Sequence, residues 1–284
     1  MRFIKAIVLF LLLLVPLIKA RATDIIYTKE DSLIYEAYIK EFSSLGKIPV
    51  NELLIKTAKY FLTKPYVAST LEITDDEKLV INLREFDCTT FVETCLALSL
   101  TIKSEDHSFA GFCNKLTSIR YRNNEIEGYP SRLHYMTEWI YQNEKKGILN
   151  DLTVSMGGNK VSKKIDFMTT HTDAYKHLKN SAINTDKMRE IEDGINRANS
   201  YSIIKKSLIH TIEPDIKDGD IIVFATSIGG LDYSHIGIAY WESNNLHFIH
   251  ASSKYKKVVI EKQTLEEYCL SSKSCTGISV LRVN

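Results

Sequence analysis

An α+β fold with an antiparallel sheet is predicted from two features: helix-period apolar runs occupy the first half of the chain, and short β-rich segments crowd its last third. A third feature, a cysteine opening one of those helical runs, suggests where chemistry sits. Thr28, followed by Glu30 and Asp31, reads as a helix start, with Leu33, Ile34, Ala37 and Tyr38 at helical spacing toward Gly46. Pro49 opens a second run through Leu53, Leu54, Ala58 and Phe61 that stops before Pro65. A short extended stretch near Lys78 to Leu83 then leads to Cys88, and Cys88 to Leu100 reads as a buried helix. Further helices are expected over Phe109 to Ile119 and Leu133 to Tyr141, separated by a turn at Gly128-Tyr129-Pro130. The polar stretch from Asp151 to Ser200 is expected to hold loops and one or two short helices that cover or border a cleft. Strands are expected at Ile221 to Ala225, Ile236 to Trp241, Leu246 to Ala251, Lys257 to Ile260 and Ile278 to Val283.

The 284 residues allow one large domain with an apolar core. Lysine and arginine total 36 against 35 acidic residues, so no excess positive charge is present to bind a phosphate backbone, and nucleic acid is a poor partner. The first twenty-two residues differ from the rest. Arg2 and Lys5 precede an apolar run from Ala6 to Ile18, and Ala20-Arg21-Ala22 offers a small-residue cleavage site. That run is too short to span roughly 30 Å of hydrocarbon. It predicts a cleaved signal peptide over residues 1–22, a single domain over 23–284, a periplasmic or extracellular location, and no membrane association after cleavage. In an oxidising compartment the five cysteines face possible pairing. With Cys88 free, Cys95, Cys113, Cys269 and Cys275 allow three connectivities, of which Cys95 with Cys113 and Cys269 with Cys275 are the most local.

Cys88 follows Phe86-Asp87 at a predicted helix start. Amides and the positive dipole end there favour a thiolate, which Asp87 opposes unless it is turned away as a cap. His235 begins a predicted strand, Ser234-His235-Ile236-Gly237-Ile238, and the next strand holds Phe248-Ile249-His250-Ala251. An even-length hairpin loop makes cross-strand positions sum to an odd number, so His235 and His250 share a face and His247 points to the other, toward the surface. With Glu242 to Asn245 as the loop, His250 lies opposite Gly237 and diagonal to His235, roughly 7 Å apart in backbone terms. A nucleophile, a base and an orienting group are what cysteine acyl transfer needs. Zinc binding is the rival reading, since one cysteine and two histidines are legitimate ligands. No Cys-x-x-Cys or His-Glu-x-x-His spacing supports it, and neither a metal nor a cofactor is implied.

Four segments carry a family resemblance. Asp87-Cys88-Thr89-Thr90-Phe91-Val92-Glu93, Lys217-Asp218-Gly219-Asp220-Ile221, Ser234-His235-Ile236-Gly237-Ile238 and Phe248-Ile249-His250-Ala251 resemble, in order, the motifs of the NlpC-type cell-wall cysteine peptidases, a papain-like clan. Thr89-Thr90 stands where the wider clan has Ser-Gly. This departure, with Arg120-Tyr121-Arg122 and Tyr129-Pro130-Ser131-Arg132-Leu133-His134-Tyr135, is most similar to the N-acetylmuramoyl-L-alanine amidase-like branch. The resemblance implies a papain-like core, with the nucleophile on a helix N-terminus packed against an antiparallel sheet and additional helices around it. It also implies cleavage of the amide between the lactyl group of N-acetylmuramic acid and L-alanine, on muropeptide or peptidoglycan fragments that include 1,6-anhydro forms. Cys88, His235 and His250 take the catalytic roles. Arg132, His134 and Tyr135, with Tyr233 and Ser234 beside the base, are assigned to substrate binding, Arg132 by pairing with a stem-peptide carboxylate. The alternative for that stretch is structural, with Leu133 and Tyr135 as helix core and Arg132 capping carbonyls. Competing activities are a stem-peptide endopeptidase cutting between D-glutamate and the diamino acid, an acyltransferase, and a non-catalytic muropeptide-binding protein.

Overall fold

The structure is a computed structural model that describes residues 25–284, so the expected leader over 1–22 lies outside the described residues. A two-residue strand β1 (Ile25–Ile26) precedes α1 (Lys29–Phe42). The predicted helix start is a reciprocal cap: Asp31 N–H donates to the Thr28 hydroxyl, and Thr28 N–H donates to the Asp31 carboxylate. Then follow α2 (Val50–Tyr60), β2 (Leu79–Val80, parallel to β1), α3 (Cys88–Lys103) and α4 (Phe109–Arg120). The next helix, α5 (Met136–Lys145), starts later than the pattern suggested. Leu133 and Tyr135 are therefore buried residues ahead of the helix rather than its core positions, because Leu133 N–H is taken by Arg120 C=O.

The middle segment comprises β3 (Leu149–Asp151), β4 (Asn159–Lys160), α6 (Phe167–Thr170) and α7 (Ala182–Ala198). At 17 residues α7 is not a short helix. Its polar texture hides a narrow inward stripe of Met188, Ile191, Glu192 and Ile195, at helical spacing, which packs with Tyr129, Tyr135 and Met168.

The remaining elements are β5 (Ser202–Lys205), α8 (Ile209–Ile212), β6 (Ile221–Thr226), β7 (Tyr233–Glu242), β8 (Asn245–Ser252), β9 (Lys257–Ile260), α9 (Leu265–Ser271) and β10 (Cys275–Val283). They form an antiparallel sheet of order β4-β5-β10-β6-β7-β8-β9, with β3 also paired to β10. The predicted α+β class and antiparallel sheet are both present. Each of the four central strands presents two buried faces, which explains their near-continuous apolar runs. On one face Val223, Ile236, Ile238 and Ile249 pack with Phe91, Val92 and Leu96 of α3; on the other Phe224, Phe248 and Val280 pack with Ile209 of α8 and Leu265 of α9.

The β7–β8 loop is shorter than expected. Glu242 pairs with Asn245, leaving Ser243 and Asn244, both at positive φ (48° and 67°), as the tight turn that matches strand twist. Two residues is still an even count, so the parity argument holds, and the register Ile238↔Ile249 continues to Gly237 opposite His250. Only glycine fits there, since a Cβ on Gly237 would lie 2.8 Å from the Phe248 ring and 3.3 Å from the His250 Cβ. His247 does turn to the other face, but it is half-buried, its Nδ1 3.1 Å from the carbonyls of Glu261 and Gln263. It is not a free surface residue.

Candidate active site

Cys88 is the first residue of α3. Asp87 is its N-cap, accepting Thr90 N–H at 2.8 Å while its own N–H donates to the Thr90 hydroxyl at 3.0 Å. The carboxylate is thus turned to the helix, as its position required. The Cys88 thiol is partly exposed and faces the backbone amides of Ile236 and Thr89. Burial, and then the Asp87 charge, push its pKa up to about 12, against smaller opposing contributions from the Thr89 hydroxyl and those amides.

One residue before Ile236, on the neighbouring face of β7, His235 meets His250 of β8. His235 Nε2 lies 2.6 Å from His250 Nδ1, with the rings nearly perpendicular. This contact leaves Nδ1 as the free nitrogen of His235. Burial, then the neighbouring His250, push the His235 pKa down to about 3, so its imidazole is neutral near pH 7. The pair sits in an aromatic cage of Phe224, Phe248 and Tyr268, the last placed by α9. Burial raises the Tyr268 hydroxyl to about 12, which keeps that wall uncharged.

A cavity of about 400 Å³ opens beside the start of α3, lined by Thr89, Thr90, Glu93, Arg120, Arg132 and His134 among others. Its far wall comes from Ala174, Tyr175 and Lys176, so the 151–200 stretch does border a cleft. Arg132 reaches this cavity already paired. It contacts the Glu72 carboxylate, lies 3.5 Å from Glu77, and stacks over Tyr129. Its guanidinium is ion-paired within the protein, to carboxylates rather than to the carbonyls of the capping alternative, while its Nε makes no hydrogen bond. His134 lines the cavity too, but its Nε2 is fixed 2.9 Å from Tyr129 C=O, and burial, then Arg132, hold its pKa well below the usual histidine range.

Two other assigned residues lie elsewhere. The Tyr135 hydroxyl donates to Glu192 at 2.6 Å and accepts Met168 N–H at 2.8 Å, tying the start of α5 to α6 and α7. Tyr233 opens β7 and is buried, its hydroxyl 2.6 Å from the Ser279 hydroxyl and 3.3 Å from Ser202 C=O. Both are framework residues, because a buried phenol needs a partner and these have found theirs. Ser234 is exposed beside His235. All five cysteines are free thiols, and those of Cys269 and Cys275 are in hydrogen-bonding contact.

Several site residues were not singled out from the sequence. Glu93 on α3 holds Arg120 at 2.7 Å and Trp139 Nε1 at 3.2 Å, both contacts buried. His177 bonds Glu72 at 3.0 Å and stacks on Tyr129. Glu93 closes the motif Asp87 to Glu93, the one signal for it, since five residues after Cys88 it lies off the face of the thiol; His177 gave none.

This frame, a capped helix-end thiol beside a strand-borne histidine pair, is one suited to acyl transfer at an amide carbonyl. The chain belongs to the AmiA-like family, described as N-acetylmuramoyl-L-alanine amidase-like, whose model matches residues 56–278. Among solved structures it is similar to an N-acetylmuramoyl-L-alanine amidase from Bacteroides uniformis, at 40% identity and a TM-score of 0.77, over 83% of this chain and 99% of that one. A Bacteroides fragilis protein described as a putative xylanase matches at 41% identity and TM-score 0.73, over 80% of this chain and 99% of the other. A Legionella pneumophila protein at 24% identity shares the fold, with TM-score 0.66 over 89% and 94% of the two chains. No curated protein matches the chain.

Proposed function

We propose that the protein is an exported cysteine amidase that hydrolyses the bond between the lactyl carbonyl of N-acetylmuramic acid and L-alanine in muropeptides, 1,6-anhydro forms included. The observation that supports this most is the pairing of His235 with His250 at 2.6 Å, which leaves His235 Nδ1 unengaged on the strand whose Ile236 amide faces the Cys88 thiol. Membership of an N-acetylmuramoyl-L-alanine amidase-like family supports this choice of bond, and the leader pattern over residues 1–22 is what argues for export to the compartment where such fragments arise. The papain-like placement rests on the four motif segments and on this thiol-histidine arrangement. We place one domain over 23–284, after the leader.

In this reading His235 Nδ1 takes the thiol proton as Cys88 Sγ attacks the lactyl carbonyl carbon, and the carbonyl π electrons move to oxygen. The amides of Cys88 and Thr89 are the donors at hand for that oxyanion, since Asp87 has engaged only the Thr90 amide of the first turn. His235 then passes its proton to the alanine nitrogen as the carbon–nitrogen bond breaks. A thioester of the muramyl lactyl group remains. Water, deprotonated by the same imidazole, attacks it and releases the acid and the free thiol. Both pKa shifts describe a resting site with a neutral imidazole and a protonated thiol, so the proton moves only as the new carbon–sulfur bond forms.

Mass spectrometry of muropeptides incubated with the chain and with Cys88→Ala tests the reading. Release of an intact stem peptide, lost in the variant, is expected. A truncated peptide still joined to the sugar would reassign the bond to that between D-glutamate and the diamino acid. Product formed equally by both proteins would remove the cysteine from the mechanism.

A further inference from the structure

Behind the histidine pair stands a buried carboxylate that the motifs do not include. The β8–β9 register, Ile249↔Ile260 and His250↔Val259, extends to Phe248 opposite Glu261, and Glu261 N–H donates to Phe248 C=O at 2.9 Å. Glu261 is therefore diagonal to His250 on the same face of the sheet. Its Oε2 is 3.3 Å from His250 Nε2, a charge contact not aligned as a hydrogen bond, and both side chains are only 2% exposed, so the carboxylate is the polar group nearest that otherwise unpartnered nitrogen. Its other oxygen is fixed by Lys262 N–H at 2.9 Å, Gln263 N–H at 3.3 Å and the Tyr255 hydroxyl at 3.4 Å.

We propose that Glu261 is a positioning residue that sets the proton arrangement of both histidines and thereby aims the basic nitrogen of His235 at Cys88. The inference rests on the reading of Cys88 and His235 as the reacting pair. Its logic is one of donors and acceptors. An ionised carboxylate only accepts, so the His250 nitrogen facing it carries the proton. His250 Nδ1 is then a bare acceptor, and at 2.6 Å it requires the N–H of His235 Nε2. His235 Nδ1 is left as a lone pair, which is the form a base needs. When His235 becomes an imidazolium, the same row supplies an acceptor at His250 and a negative charge behind it. Burial raises the Glu261 pKa, but the contacts from His250 and from the Gln263 and Lys262 amides outweigh it, and the carboxyl stays below its ordinary value and ionised.

The alternative is that Glu261 merely closes the β9 turn through its Lys262 and Gln263 contacts. Nitrogen-15 NMR of histidine-labelled full chain separates the two without any substrate, with His235→Gln and His250→Gln used to assign the signals. The expected pattern near pH 7 is Nε2–H and bare Nδ1 on both rings, with Glu261→Gln, whose amide can donate, shifting it. Turnover of muropeptide should fall on the order of 10- to 100-fold in kcat for Glu261→Gln with KM unchanged, and Glu261→Asp should recover part of the loss. Nδ1–H on His250 in the unaltered protein would overturn the proposal. So would a Glu261→Gln variant with unchanged ring signals and kcat. If the unaltered protein turned over no muropeptide, the functional reading would fall while the ring pattern still judged the role of Glu261.

Discussion

The strands β6 to β9 and the segment from residue 120 to 200 both contribute to the site, yet they hold it by different physics. In the strands, position follows from counting. A period of two, with an even loop between β7 and β8, places His250 diagonal to His235 whether the loop has four residues or two. In the middle segment, position follows from carboxylates that ion-pair with or accept hydrogen bonds from groups across long loops. Glu72 meets Arg132 and His177, and Glu192 meets Tyr135 and Thr169, partners separated by tens to more than a hundred residues. The first kind of site is read from pattern; the second exists only once the chain has folded. The proposed chemistry accordingly falls in the strands and α3, whereas the polar residues named in the middle segment are committed to partners within the protein.

That division makes ordered predictions. Cys88→Ala should abolish muropeptide turnover, a loss on the order of 10⁴-fold or more, with the melting temperature nearly unchanged. Arg120→Ala should act on stability instead. It strands a buried Glu93 with only the Trp139 N–H, a cost of about 3–5 kcal/mol visible as a lower denaturant midpoint. Tyr135→Phe should cost about 1–3 kcal/mol, because the Glu192 carboxylate and Met168 amide each lose a partner, yet leave kcat/KM near its starting value. A large loss of kcat/KM there, with stability intact, would break the comparison by returning Tyr135 to the substrate.

The smallest effect concerns the thiol. Asp87→Asn keeps the cap but removes the charge that raises the Cys88 pKa, so the thiolate fraction at a given pH increases. Iodoacetamide should alkylate Cys88 several-fold faster at pH 8 in this variant. In the unaltered protein the alkylation rate should keep rising through pH 10, because its pKa of about 12 lies above that range. A plateau below neutral pH would mean a preformed thiolate-imidazolium pair.

Much of the candidate site's placement in the fold was legible in advance, but unevenly. Asp87, Cys88, His235 and His250 each sit where a cap, a helix start or a strand register put them. The same count carried one strand further reaches Glu261, across the four-residue turn Ser253 to Lys256, yet a glutamate at a strand end carries no motif to attract attention. The helix α7 escaped because four inward positions in seventeen are a weak signal against a polar background. Tyr135, Arg132 and Tyr233 drew attention by residue type, and their true partners, Glu192, Glu72 and Ser279, are distant in sequence and follow no period.

The central claim is that Cys88 and His235 act as one unit, and a double-mutant cycle on kcat tests it most directly. Cys88→Ala, His235→Ala and the combined variant should lose turnover to about the same residual level, since removing either partner disables the other. A His235→Ala enzyme that kept most of its kcat would contradict the account, as would losses that multiplied in the double variant.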